Sequence, residues 1–337
     1  MMGEPIEEPR AGQPRRFLHV LNGDETRSKL EQSAVPGTLT VWADVLHEGP
    51  CLLVPADEWR RMRSSFLASR GYLPEPQILQ QYREWDEKLA AFPDYDEVIF
   101  WLEHDLFDQL LLIRHLHWLA SESGRSGPTF AMICIGAFPG VPDFTGLGQL
   151  TPGQLASLLD ARHTISDAEM ELGVCAWERF CAPDPSGLAA LLSDDTSALP
   201  FLADALRRFL ADYPAVGTGL SRSERQILEA VASGASTPAG AFHAAQGMEE
   251  RVFMGDASYW SIARGLASGR APLLEIDAAR SAGRLPDGRM YVTPAGFGVL
   301  TGRADHVVLN GIDRWMGGVH LTDGRWRWNG GTVGRQA

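Results

Sequence analysis

Apolar and polar positions along the 337-residue chain alternate with two different periods. In the first 150 residues, short runs rich in Val, Ile, Leu, Phe and Trp predict buried strands over 17–21, 38–44, 97–102 and 129–136. Helical spacing between them predicts a short helix over 26–32, with Asp24 as its N-cap. It also predicts a helical pair over 57–68 and 76–91, and a further helix over 107–120. That last helix is apolar at 107, 110, 111, 113, 116 and 118, nearly all the way round, as expected of one packed on a sheet. Alternation of strand and helix argues for a parallel sheet with right-handed crossovers. The expected fold over residues 17–150 is therefore a Rossmann-like α/β domain.

From 151 to 213 the pattern is wholly helical, with helix-start signals at Thr151-Pro152 and Ser166-Asp167 and a break at 183–186. This stretch reads as a helical bridge, and the small residues of 214–219 read as a hinge. Beyond it, helices are predicted from Ser221 or Ser223 onward, over 238–245 and over 258–268. Strands at 273–276 and 290–293 and a last segment at 294–300 complete the order. Three helices followed by a β-hairpin are the plan of a winged helix, expected over 220–300 with a tail over 301–337. The third helix would present Ser258, Ser261 and Arg264 outward as a recognition face.

Composition narrows the class. The chain is 45% hydrophobic and 22% charged, which is globular, and its length favours two domains over one core. The richest apolar run, 110–119, is broken by Arg114, His115 and His117, so no membrane span is expected. Residues 1–16 lack the apolar stretch of a secretory signal and read as a disordered leader of a cytoplasmic protein. The net charge of −13 is uneven: residues 220–337 carry 13 Arg against 11 acids, whereas residues 1–219 carry 17 basic against 32 acidic groups. The acidic front repels phosphate backbones, and one helix arginine is thin for a DNA reader, so nucleic acid is a disfavoured partner. The string Arg325-Trp326-Arg327-Trp328 either stacks single-stranded bases or forms a strand with its aromatic face inward. Only Lys29 and Lys88 are lysine, which fits a GC-rich bacterial coding bias. The four cysteines lack C-x-x-C spacing, so disulfides and structural zinc are not expected, and Cys134 reads as a core residue.

Candidate chemistry gathers where the predicted strands end, the place where open parallel sheets bind ligands. After the first strand come Asn22, Gly23 and Asp24; the second ends at Asp44, followed by His47, Glu48 and Gly49; the third delivers Glu103, His104 and Asp105, with Asp108 and Gln109 on the next helix. Buried charges left unpaired cost several kcal/mol, roughly, so such groups must be solvated, paired or liganded. The bland readings stay open beside this one: Asp24 as a helix cap, His19 as a satisfied core histidine, and Gly49-Pro50 as a plain turn. Glu103 and Asp105 share a side of an extended chain while His104 faces away.

The strings His19-Val20-Leu21-Asn22-Gly23-Asp24, Trp42-x-Asp44-x-Leu46-x-Glu48-Gly49-Pro50 and Trp101-x-Glu103-His104-Asp105 with Gln109 resemble the bacterial family called domain of unknown function 1835, over about residues 17–140. The segment from Asp305-His306 through Asp313-Arg314-Trp315 to Gly317-Gly318-Val319-His320-Leu321 resembles the C-terminal portion of longer members. The resemblance implies an α/β front domain and assigns no catalytic residue.

No G-x-G-x-x-G follows the first strand, and no Walker A, H-E-x-x-H or G-x-S-x-G string occurs, which disfavours standard nucleotide-binding, zincin and serine hydrolase chemistries. The expectation is a metal-assisted hydrolase or transferase acting on a phosphate-containing or other small polar ligand. Asp24, Asp44, Glu103 and Asp105 would hold a divalent Mg, Mn or Zn ion. His47 with Glu48, or His104, would move protons, and Asn22, Gly23, Gly49 and Gln109 would contact substrate. Two alternatives remain at this point: a small-molecule-sensing DNA-binding regulator, and a non-catalytic protein-interaction module with an unknown protein partner.

Overall fold

The fold comes from a computed structural model, which describes residues 14–122, 127–278 and 285–336. Its first part runs β1 (Phe17–Leu21), α1 (Asp24–Leu30), β2 (Thr38–Val41), the two-residue β3 (Gly49–Pro50), α2 (Ala56–Arg70), α3 (Glu75–Ala90), β4 (Glu97–Glu103), α4 (Leu106–Glu122), β5 (Thr129–Ile135), α5 (Pro152–Ser157) and β6 (His163–Thr164). Five of these strands form one sheet in the order β2-β1-β4-β5-β6. All its pairings are parallel except that of β6, which runs antiparallel to β5. The result is a mixed α/β fold with helices flanking a mostly parallel sheet, as a Rossmann-like domain requires.

Alternation along the strands builds the two core faces. Leu18, Val20, Val98, Phe100 and Leu102 join α4 residues such as Leu110, Ile113 and Leu116 on one side. Leu21, Ile99, Trp101, Ala131 and Ile133 join Leu147, Leu150 and Leu155 on the other. Every residue of β4 is buried, which is why its sequence is a continuous apolar run closed by an acid at each end. His19 is fully buried in β1: its Nδ1 accepts from the Trp101 indole at 3.0 Å, and its Nε2 donates to the Pro36 carbonyl at 3.0 Å. It is the satisfied core histidine, and burial lowers its pKa.

Helical connections follow: α6 (Asp167–Phe180), α7 (Ser186–Leu191) and α8 (Leu202–Leu210). Thr151 and Ser166 close capping boxes with Gln154 and Glu169, so both predicted helix starts are where the caps stand. The rear part contains α9 (Arg222–Ala232), α10 (Pro238–Gln246), α11 (Asp256–Leu266), the antiparallel pair β7 (Leu274–Ala278) and β8 (Gly288–Val292), and α12 (Pro294–Leu300). Ser221 caps α9 through a third capping box with Glu224. Most of the predicted hairpin turn, residues 279–284, lies outside the described residues, as do residues 1–13 of the expected leader.

Three expectations are corrected. The second strand stops at Val41 rather than 44, because the chain turns to bring Asp44 onto Arg63 of α2. Residues 214–219 are a tied turn rather than a loose hinge. Ala215 N donates to Leu220 O at 2.8 Å, Gly219 N to Ala215 O at 2.8 Å, and Val216 N to Trp328 O at 2.9 Å. The C-terminal stretch is integral to the fold. It comprises α13 (His306–Asn310), β9 (Arg314–Gly317), β10 (Val319–Leu321), β11 (Trp326–Trp328) and β12 (Val333–Arg335), and β9 pairs with β3 through Met316–Gly49 and Gly317–Pro50.

Of the α11 residues expected outward, Arg264 is exposed but Ser258 and Ser261 are turned inward. Ser258 and Ser261 are buried, Ser258 bonds Glu48 and the Tyr72 hydroxyl, and Arg264 donates to the Arg70 carbonyl at 2.8 Å. In the Arg-Trp string the inward alternative holds for Trp326, which is buried in the core, while Arg327 pairs with Asp305 at 3.1 Å. Among the described residues, no helix is long and apolar enough to cross a membrane.

Candidate functional site

The strand order places β2 on one side of β1 and β4 on the other, so the crossover direction reverses between β1 and β4. Such a switch point, at the carboxyl ends of the strands, is where open parallel sheets bind ligands. Leu21 of β1 pairs with Trp101 of β4, so Asn22 follows β1 directly opposite the end of β4. Asn22 donates its amide to Glu103 Oε1 at 2.9 Å and to both Asp108 oxygens at 3.0 and 3.1 Å. Thr26 Oγ1 donates to Asn22 Oδ1 at 3.2 Å, which fixes the amide with its NH2 toward the acids.

Glu103, Asp105 and Asp108 converge there, each offering one carboxylate oxygen within 4.8 Å of the others. All three are buried. The backbone explains the convergence. Glu103 is the last residue of β4, and Asp105 caps α4 by accepting from the Asp108 N–H at 3.0 Å. One helical turn returns Asp108 toward the strand end, where it accepts the Glu103 N–H at 3.0 Å. Gln109 then donates to the Glu103 carbonyl at 2.7 Å and to Cys134 Sγ at 3.4 Å, locking strand and helix together.

A loop closes over the group. Leu147 N donates to Glu103 Oε1 at 2.6 Å, and a Cβ at Gly146 would lie 2.4 Å from Glu103 Oε2. Only glycine lets the backbone pass so close to the carboxylate. Among the described residues, none of the three acids has an arginine or lysine within ion-pairing distance. Burial raises the pKa of Glu103 against the opposing pull of the Asn22 and Leu147 donors. Burial and then the neighbouring Glu103 charge push Asp105 up to about 7, and the same two causes together with Asp105 hold Asp108 well above the carboxylate range.

The predicted site residues divide accordingly. Asn22, Glu103 and Asp105 are brought together, and Asp108 is the ligand-type residue that strand-end reading passed over as a helix residue. Its signal was the E-x-D-x-x-D spacing, which joins a strand end to the third position of a helix. Gln109 lies beside the group, but its amide nitrogen is used on Glu103 O and Cys134.

His104 faces away between Phe144 and Phe201, at ring distances of 6.0 and 5.9 Å, and burial lowers its pKa. Gly23, not Asp24, is the N-cap position of α1; Asp24 is exposed and 4.0 Å from Arg27. Asp44 is fully buried in a two-point pair with Arg63, at 2.7 and 2.9 Å, so it is not free to hold a metal.

His47, Glu48 and Gly49 belong to a different place. Glu48 accepts from the Tyr72 hydroxyl at 2.6 Å and from Ser258, and His47 Nε2 is 3.4 Å from the same serine. These three residues border a cavity of about 280 Å³ between α9, α11 and α13, with Glu224, His306 and Arg314. Gly49 has φ +78° and sits so tightly on Phe66 that a Cβ would meet the ring at 2.4 Å. Comparison with known proteins returns no match to a family model and none to a curated protein.

Proposed function

We propose that the protein is a metal-assisted hydrolase or transferase acting on a phosphate-containing substrate, with Glu103, Asp105 and Asp108 as the cation ligands. The observation that carries this reading is three buried carboxylates, with one oxygen of each within 4.8 Å of the others, and no ion-paired basic side chain among the described residues. Like charges so placed stay protonated or gather around a cation. An all-oxygen donor set suits magnesium or manganese better than zinc, which prefers nitrogen and sulfur.

A divalent cation held there supplies Lewis acidity and an activated water. The chain's own residues set the rest. Asn22 orients two of the carboxylates, Asp105 couples the cluster to the first turn of α4, and the Gly146–Leu147 backbone covers Glu103. The same reading takes residues 17–140 as a member of the family called domain of unknown function 1835 and residues 220–300 as winged-helix-like. The buried face of α11 supports a packing role for that unit rather than duplex reading.

The test is turnover of a phosphoester panel (aryl phosphates, phosphodiesters and nucleotides) with manganese or magnesium and with excess chelator. Metal-dependent hydrolysis is expected, with Asp108→Asn lowering kcat at least a hundredfold while leaving the fold intact. Turnover that survives chelation, or no metal-dependent turnover across the panel, contradicts the reading.

A further inference from the structure

A second cavity, of about 330 Å³, opens beside His104, the residue between two of the three acids. It lies among α8, α9, the 249–251 loop and β11, and its walls differ from the rest of this chain. Five arginines line it against three acids, Asp204, Glu249 and Glu250, in a protein whose net charge is −13. Asp212 and Glu229, paired with Arg208 and Arg225, stand outside the lining, so the surface that a ligand meets is richer in guanidinium than in carboxylate and favours an anion.

The arginines are not equivalent. Arg208 is buried and consumed by Glu249 at 2.7–3.0 Å, by Asp212 at 3.0 Å and by Ser223 at 2.8 Å. The other four remain part-exposed. Arg207 and Arg251 share the single carboxylate of Asp204, at 2.8 and 2.9 Å. Arg222 reaches Glu249 only at 3.4 Å and Glu250 at 3.9 Å, and Arg225 reaches Glu229 at 3.3 Å. Arg222 and Arg225 stand one turn apart on α9 and so share a face. Arg222 and Arg225, whose ion pairs are 3.3 Å or longer, keep donors for a bidentate grip on phosphate oxygens, and Arg207 and Arg251 have only one carboxylate between them.

Trp328 supplies the other wall. Its backbone is fixed by a bond from its N–H to Pro214 O at 2.9 Å, and this half-buried residue borders the cavity. A flat aromatic face beside phosphate-binding arginines suits a nucleobase. The volume stands at the lower end of small-molecule sites, roughly 300–1,000 Å³, which fits one nucleotide rather than a strand.

We infer that this cleft binds a mononucleotide, with its phosphate on Arg207, Arg222, Arg225 and Arg251 and its base against Trp328. The cleft meets the acid group through Arg251, which donates to the His104 carbonyl at 3.2 Å. The inference therefore narrows the substrate class of the reading above and rests on it for catalysis, while binding itself needs no metal.

The test is calorimetric titration of the full chain with AMP, adenosine and inorganic phosphate in excess chelator. AMP is expected to bind, adenosine at least tenfold more weakly, and Arg222→Ala with Arg225→Ala to weaken AMP at least tenfold at unchanged melting temperature. Trp328→Ala is expected to reduce AMP to the affinity of phosphate. If the double variant is unstable, Arg207→Ala, on a half-exposed side chain, reads the same loss. Asp105→Asn with Asp108→Asn is expected to keep AMP binding in chelator, so failure of the metal site and failure of this cleft are separable. No AMP binding, equal binding of adenosine, or binding unchanged by the arginine substitutions overturns the inference. An oligothymidylate bound more tightly than AMP also overturns it and points to a nucleic-acid strand.

Discussion

Asp105→Asn is expected to stabilise the metal-free protein at pH 8 by about 4 kcal/mol, the equivalent of three pKa units. The folded-state carboxyl is raised from 3.8 to about 7 by burial and by Glu103. Between these two values the folded chain holds a proton that the unfolded chain releases. The stabilisation is therefore complete below about pH 4 and is lost as pH rises through about 7. Glu103 and Asp108 shift in the same direction and steepen the loss. Asparagine mimics the protonated acid, keeps an oxygen for the Asp108 N–H, and has nothing to titrate. Urea unfolding in chelator at pH 5 and pH 8 checks this: wild type should lose stability between the two, and the variant should lose clearly less. Equal pH dependence in both proteins would show that Asp105 is already ionised and satisfied in the fold.

The second large effect lies at Arg63. Its guanidinium is fully buried, pairs with Asp44 at 2.7 and 2.9 Å, and donates to the carbonyls of Glu48 and Val45 at 2.6 and 3.2 Å. Removing one partner of such a pair leaves an uncompensated charge and costs about 3–5 kcal/mol. Arg63→Ala should therefore lower stability by about that amount, with much of the loss in the 44–50 loop that carries β3 to β9. The companion Asp44→Asn should leave manganese affinity unchanged, because Asp44 is a structural ion-pair partner. Thermal denaturation of the single variants and of the double variant Asp44→Asn, Arg63→Ala measures the coupling. A loss below about 1 kcal/mol at Arg63 would mean that the loop does not depend on the pair.

Strands and helices were legible wherever local signals and burial agreed. The four long parallel strands announce themselves as apolar runs, and Thr151, Ser166 and Ser221 mark helix starts because capping chemistry is local. The pairing of β9 with β3 was not legible, since two residues of strand separated by more than half the chain leave no periodic trace. For the same reason the inward face of α11 read as exposed: Ser258 is polar by composition, and its partners Glu48 and Tyr72 are distant in sequence. At the site, reading along strand ends found Asn22, Glu103 and Asp105 but recruited Asp24 and Asp44 by proximity to strand termini. Whether an acid at a strand end is paired depends on what packs over it, and only tertiary structure brings Arg63 onto Asp44. Asp108 was passed over because it stands in an apolar helix, where its return toward Glu103 depends on the Asp105 cap.

The most direct measurement is the binding of Mn²⁺ to the full chain, followed by electron paramagnetic resonance of free ion during titration near neutral pH. One site per chain is expected, weakened at least a hundredfold by Asp105→Asn with Asp108→Asn and unaffected by Asp44→Asn. Saturating Mn²⁺ at a hundred times Kd should also raise wild-type stability by about 2.7 kcal/mol. No stoichiometric site, or one that persists after both carboxylates are removed, would contradict the assignment of Glu103, Asp105 and Asp108 as a cation site.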